Sequence, residues 1–194
     1  MSRAMVAPYL CAVVNALAAL ALATILAPGV SLVPTAAQAT YAADHLPAWR
    51  LGWGLWIAAA LSLVAFFGWW ASRMAWPPVA RAAVVIAVAG VLADMIAEGR
   101  LIAWSPGQRF DIDGALRLSG IGANGSYSLA GAILTWRTRG LPRWLAQWSW
   151  AVWVLGIGLA VAVAAGSDSG ARLLTAGLFA LLVPWLVVFG RRLA

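Results

Sequence analysis

Residues 78–98 read PVARAAVVIAVAGVLADMIAE, and this stretch decides the fold class. Only Arg81 near its start and Asp94 and Glu98 near its end carry charge. At about 1.5 Å per residue it makes a helix of about 30 Å, the thickness of a bilayer's hydrocarbon core. Five more stretches have the same character, approximately over residues 6–28, 49–71, 114–136, 144–165 and 171–190. Between them stand Pro28-Gly29, Pro77-Pro78, Pro106-Gly107, Gly140-Leu141-Pro142 and Gly166-Ser167-Asp168, residues that break helices at span ends. The sequence therefore predicts an all-α polytopic membrane protein. Residues 1–194 form one integral membrane domain, a bundle of six transmembrane helices with loops too short to fold separately.

Composition agrees and removes whole classes of chemistry. The chain has 194 residues, 64% hydrophobic and 10% charged, where a soluble domain is about half apolar and about a quarter charged. All 13 basic residues are arginine, so no lysine is present to form a Schiff base or act as a nucleophile. One cysteine, Cys11, excludes an intramolecular disulfide, and one histidine, His45, excludes a bis-histidine haem or a His-rich metal centre. Asp94 and Glu98 alone make no metal site, and nothing in the sequence specifies a cofactor. Ser119, Ser126 and Ser128 have no basic partner in reach by sequence, which argues against a serine hydrolase. The net charge of +7 points to anionic lipid headgroups rather than nucleic acid, because the arginines flank apolar runs.

The charges also set an orientation. With six spans, Arg3, Arg73, Arg81, Arg137, Arg139, Arg143, Arg191 and Arg192 share one side, and Arg50, Arg100, Arg109, Arg117 and Arg172 share the other. The positive-inside rule then places both termini in the cytoplasm. Asp44, Asp111, Asp113 and Asp168 map to the opposite, outer face, with Glu98, while Asp94 lies one turn inside it. Ala37-Gln38-Ala39 resembles a signal-peptide cleavage site, but the preceding apolar run ends near Ala27, about a dozen residues too early. The Arg-rich, Lys-free composition fits a bacterial cytoplasmic membrane.

Most of the 13 tryptophans fall near span ends, the pattern of an interfacial aromatic belt. Trp56, Trp153 and Trp185 fall deeper and are candidates to line a cavity. Pro47-Ala-Trp49-Arg-Leu-Gly-Trp53 can be set beside Pro142-Arg-Trp144-Leu-Ala-Gln-Trp148, and Ala80-Arg81 and Gly99-Arg100 beside Ala171-Arg172 and Gly190-Arg191. These pairings suggest a 3+3 inverted pseudo-repeat of the kind found in secondary transporters.

Ionisable groups within a membrane mark a site or a structural pair. Asp94 and Glu98, four apart, share a helix face. In the fourth span Asp113, Arg117, Gly120, Asn124, Tyr127 and Gly131 form a polar and small-residue stripe that must face protein or a water-filled cavity. Arg117 is estimated to lie at the depth of Asp94, so an Arg117–Asp94 ion pair is expected, shared with Glu98. Asn15 and Cys11 on the first span can face the same cavity, with a helix–helix hydrogen bond as the structural alternative.

The plan resembles a loose group of bacterial six-span membrane proteins defined only as a domain of unknown function. The likeness is carried by the Ala-rich segment Thr35-Ala-Ala-Gln-Ala-Thr-Tyr-Ala-Ala-Asp44 and by Arg50-Leu51-Gly52 opening the second span. It covers about a third of the chain and implies six helices and no particular activity. The leading expectation is a protein that binds or carries a small hydrophobic molecule or lipid. Its outward-facing polar cavity would lie between the third and fourth helices, with Asp94, Glu98, Arg117, Asn124, Tyr127 and Asn15 as ligand-binding residues. An accessory subunit packing against membrane-protein partners is the alternative. An intramembrane enzyme acting on lipid or quinone, with Asp94 or Glu98 as acid or base, is the third.

Overall fold

The computed structural model describes residues 6–33 and 35–193, so Arg3 of the arginine bias lies outside the described residues. Among these the chain is all helical, without a strand. α1 (Val6–Ala21) continues through a π turn (Leu22–Leu26) and a 3₁₀ turn (Ala27–Gly29). α2 (Ala36–Asp44) is short; α3 (Leu46–Arg73) and α4 (Pro78–Ala103) are long. α5 (Ile112–Arg117), a π segment (Leu118–Ala123) and α6 (Asn124–Arg137) follow without a break, then α7 (Arg143–Ala164) and α8 (Asp168–Leu193). Five helices are long and apolar enough to cross a membrane: Val6–Gly29, α3, α4, α7 and α8. This is the character of a multi-pass helical membrane protein. The fourth expected span, Ile112–Arg137, is helical but is not among the five, because Asp113, Arg117, Ser119, Asn124, Ser126, Tyr127 and Ser128 dilute its hydropathy.

The long helices close into a ring in the order α1, α3, α4, α6, α7, α8, with α8 returning to α1. Large aliphatic side chains point outward. Val6, Leu10, Val13, Leu17 and Leu20 make an exposed stripe along α1, and Val85, Val88, Leu92, Met95 and Ile96 are exposed on α4. The same α4 buries Ala80, Ala83, Ala87 and Gly90. Small residues inside and branched aliphatics outside reverse the soluble pattern; they suit helices that approach closely in a hydrocarbon solvent.

The half of the ring where α3, α6 and α8 end is filled with aromatics. Phe66, Phe67 and Trp70 of α3 pack with Trp153 of α7 and Trp185 and Phe189 of α8, with ring centroids 4.4 Å apart for Trp70–Phe189 and 5.2 Å for Trp153–Trp185. The three tryptophans of this cluster each donate to a hydroxyl: Trp70 to Thr138 (2.9 Å), Trp153 to Thr135 (2.8 Å) and Trp185 to Ser149 (3.0 Å). Trp76, Trp136, Trp144 and Trp150 are exposed, as side chains of an aromatic belt would be, whereas Trp49, Trp53, Trp70 and Trp104 are buried, their large apolar area packed against other side chains.

At the opposite end the Ala-rich segment expected as a loop is α2. Thr35 and Gln38 form a capping box, in which the Gln38 amide oxygen accepts the Thr35 N–H at 2.7 Å. The segment after α1 is tied to α8: the Leu32 N–H donates to Asp168 (2.9 Å), Asp168 pairs with Arg172 (2.8 Å), and Arg172 donates to the Val30 carbonyl.

Candidate functional site

α4 and α6 meet at Gly90. A β-carbon there would come within 2.8 Å of the Tyr127 ring and 3.1 Å of the Ala123 carbonyl, so only glycine permits this approach. One turn further along α4 stands Asp94, 3% exposed. Its two carboxylate oxygens accept hydrogen bonds from the Ser119 hydroxyl (2.6 Å) and the Tyr127 hydroxyl (2.8 Å). Between these donors the helix is wound as a π turn, Leu118–Ala123, which widens the backbone by one residue per turn. Asn124 follows directly, its amide donating to the Ser119 carbonyl at 3.4 Å.

Arg117 is not the partner of Asp94. It pairs with Asp113 at 3.0 Å, four residues earlier on its own helix, and both side chains remain partly exposed. Two physical reasons correct the expectation. α4 runs on to Ala103 rather than stopping at Glu98, which puts Asp94 nine residues inside, about 13 Å of helix. Arg117 is five residues from the start of α5, about 7 Å deep. The depths do not match, and Asp113 satisfies the guanidinium without closing any loop. The expected stripe also divides. Gly120 packs under Val163 and Gly131 under Trp153, both on α7, whereas Asn124 and Tyr127 face the ring interior.

That interior is open on the side away from the aromatic fill. A cavity of about 410 Å³ is bounded by the segment after α1, by α3, by the π turn, by α7 and by the start of α8. Its walls are mostly apolar: Leu22, Trp53, Leu116, Leu159, Val163 and Ala176 among them, with Ser31, Ser119, Asn124 and Thr175 as polar points and the partly exposed Asp168–Arg172 pair at the start of α8. A smaller space of about 50 Å³ adjoins it toward the centre, lined by Asn15, Asp94, Asn124, Tyr127, Ser128 and Trp153. Trp56, Phe179 and Asn124 line both, and the Trp56 and Phe179 rings stand 5.5 Å apart at the junction. The larger space falls in the size range of small-molecule pockets, roughly 300–1,000 Å³. The smaller has room for about three waters beside its polar groups.

The sequence-predicted residues thus separate into three groups. Asp94, Asn124, Tyr127 and Asn15 converge on the smaller space. Asn15 is buried and donates to Ser62 of α3 (3.2 Å) and to the Cys11 carbonyl (2.9 Å), so it also makes the helix–helix bond expected as its structural alternative. Glu98 lies elsewhere: it is fully enclosed, and neither carboxylate oxygen has a hydrogen-bond partner among the described residues. Arg117 lines neither space and is paired with Asp113. The cavity is ringed by helices rather than confined between the third and fourth. Trp56 and Trp153, singled out for their depth, line the smaller space, while Trp185 lies in the aromatic fill; Ser119 and Phe179 carried no functional expectation, and the Ser-Gly-Ile-Gly-Ala run that forms the π turn was the available signal for Ser119. No family model matches the chain, and no curated protein or solved structure matches it.

Proposed function

We propose that this protein binds or carries a small, mainly hydrophobic molecule, of the lipid or quinone kind, within the half-filled ring. The observation that supports this is the cavity's polarity gradient. Apolar walls lead to a floor where Asn124, Asp94, Tyr127 and Asn15 present the polar atoms, the arrangement that orients an amphiphile by its polar group. A purely architectural subunit has no reason to leave such a volume unfilled while packing its other half with six aromatic side chains. Native mass spectrometry of gently solubilised protein tests it. The native chain should retain a bound mass, and Ala176→Trp, which fills the larger space, and Asn124→Leu, which removes a polar point, should each lower its occupancy at least tenfold. Absence of any bound mass, or equal retention by both variants, refutes the assignment.

Six crossings, both termini in the cytoplasm of a bacterial cell and a 3+3 inverted pseudo-repeat form the topological part of this proposal. The continuous helical run Ile112–Arg137, the arginine bias and the ring order support it. The sole cysteine, Cys11, is buried, so single cysteines can be read cleanly. Gln108→Cys should label with a membrane-impermeant maleimide on sealed cells, and Gly140→Cys should not. Labelling of both would show that Ile112–Arg137 does not cross.

A further inference from the structure

At the end where α3, α6 and α8 finish, a third cavity of about 360 Å³ is walled by arginine from separate segments: Arg73 from α3, and Arg137 and Arg139 from the end of α6 and the residues beyond. Trp70, Met74 and Thr138 complete its base. The base is fixed rather than fortuitous. The Thr138 hydroxyl accepts the Trp70 indole N–H at 2.9 Å, lies 3.4 Å from the Met74 sulfur and donates to the Leu134 carbonyl at 2.7 Å. Beside it the chain leaves α3 through two consecutive left-handed residues, Ala75 (φ 56°) and Trp76 (φ 52°), a costly backbone for non-glycine residues. The Arg81 side chain, donating to the Trp76 carbonyl at 3.0 Å, holds that turn. Arg73 lies against the Trp69 ring, 5.4 Å from its centroid. Among the described residues no carboxylate lines this cavity and none of its three arginines has an ion-pair partner; the ion pairs found are Arg117–Asp113 and Arg172–Asp168 at the other end.

Three exposed guanidiniums around one concavity concentrate positive potential there, and the planar fork of arginine matches phosphate oxygens two at a time. We propose that this cavity is a binding site for a phosphate group, separate from the hydrophobic cavity at the other end. Its position at a helix-bundle rim suits the phosphate of an anionic lipid, and a soluble phosphate compound offers the same chemistry.

The test uses the delipidated full chain in neutral detergent, followed by native mass spectrometry. One arm adds short-chain phosphatidylglycerol in competition with phosphatidylcholine; the other adds inorganic phosphate. Expected is one phosphatidylglycerol per chain retained at least tenfold over phosphatidylcholine, or one phosphate retained at submillimolar concentration; the first result identifies a lipid source and the second a soluble one. Arg137→Gln and Arg139→Gln should each lower that retention at least fivefold. Arg191→Gln, at the same end but bonded to Tyr9 (2.7 Å), should leave it unchanged. Arg139→Lys keeps the charge and should fall between, which separates loss of the site from loss of fold. Equal losses for Arg191→Gln and the cavity variants, or no retention of either probe, overturns the proposal.

Discussion

Asp94 and Glu98 stand one turn apart on the same helix, yet their removal should have opposite effects on stability. Glu98 is fully enclosed with both oxygens unpartnered, and an unsatisfied buried polar group costs about 1–3 kcal/mol. Replacing it by leucine of similar volume removes that cost and adds apolar contact. Glu98→Leu should therefore stabilise the protein by about 1–3 kcal/mol, which raises Tm by about 2–12 °C at about 2–4 °C per kcal/mol for a chain of this size. Asp94 is the acceptor for Ser119 and Tyr127. Asp94→Leu strands both hydroxyls and should destabilise by about 1–3 kcal/mol, while Asp94→Asn, which keeps an acceptor, should lose less. The assay is unfolding in mixed micelles titrated with SDS and followed by tryptophan fluorescence, with thermal melts in parallel. If Glu98→Leu destabilises as much as Asp94→Leu, Glu98 is held by a partner and the accounting from burial is wrong.

Three other perturbations follow from the geometry. Arg117→Leu should cost less than about 1 kcal/mol, because its pair with Asp113 is partly exposed and such pairs are weak; the same titration would detect a larger loss, and with it a link to Asp94. Gly90→Leu forces α4 and α6 apart at the Tyr127 ring and should cost at least the 1–3 kcal/mol typical of overpacking, together with tenfold or greater loss of cavity ligand. Thr35→Ala removes one half of the α2 capping box and should cost about 1 kcal/mol, seen as faster amide exchange confined to α2.

Much of the site was legible because polar residues are conspicuous in an apolar helix. Asp94, Asn124, Tyr127 and Asn15 were selected on that ground alone, and they share a cavity wall. The Arg117–Asp94 pair was not legible, for two reasons. Helix ends are set by hydrogen bonds and tertiary contacts: α4 gains its last turn with help from Trp49 of α3, which donates to the Leu101 carbonyl at 3.1 Å. A π turn also breaks the 3.6-residue period on which a face is drawn, so Ser119 reaches Asp94 from a position that an ideal helix assigns elsewhere. Thr35 and Gln38 stand at capping-box spacing ahead of an alanine-rich run of high helix propensity, so α2 had a sign in the sequence that the reading as a loop passed over.

Length and hydropathy by themselves determined that this chain is a helical, multi-pass membrane protein, since a backbone in hydrocarbon must satisfy its own hydrogen bonds. Composition by itself removed lysine chemistry and an intramolecular disulfide, which need residues the chain lacks. Only the tertiary structure decided which half of the bundle is filled. Six aromatics drawn from three helices, of which only Trp153 and Trp185 stood out in sequence, meet and fill one end, whereas at the other end Trp53, Trp56 and Phe179 stand in a cavity wall among alanine, valine and leucine. Whether side chains fill a shared volume depends on the sum across facing helices, and no single helix carries that sum.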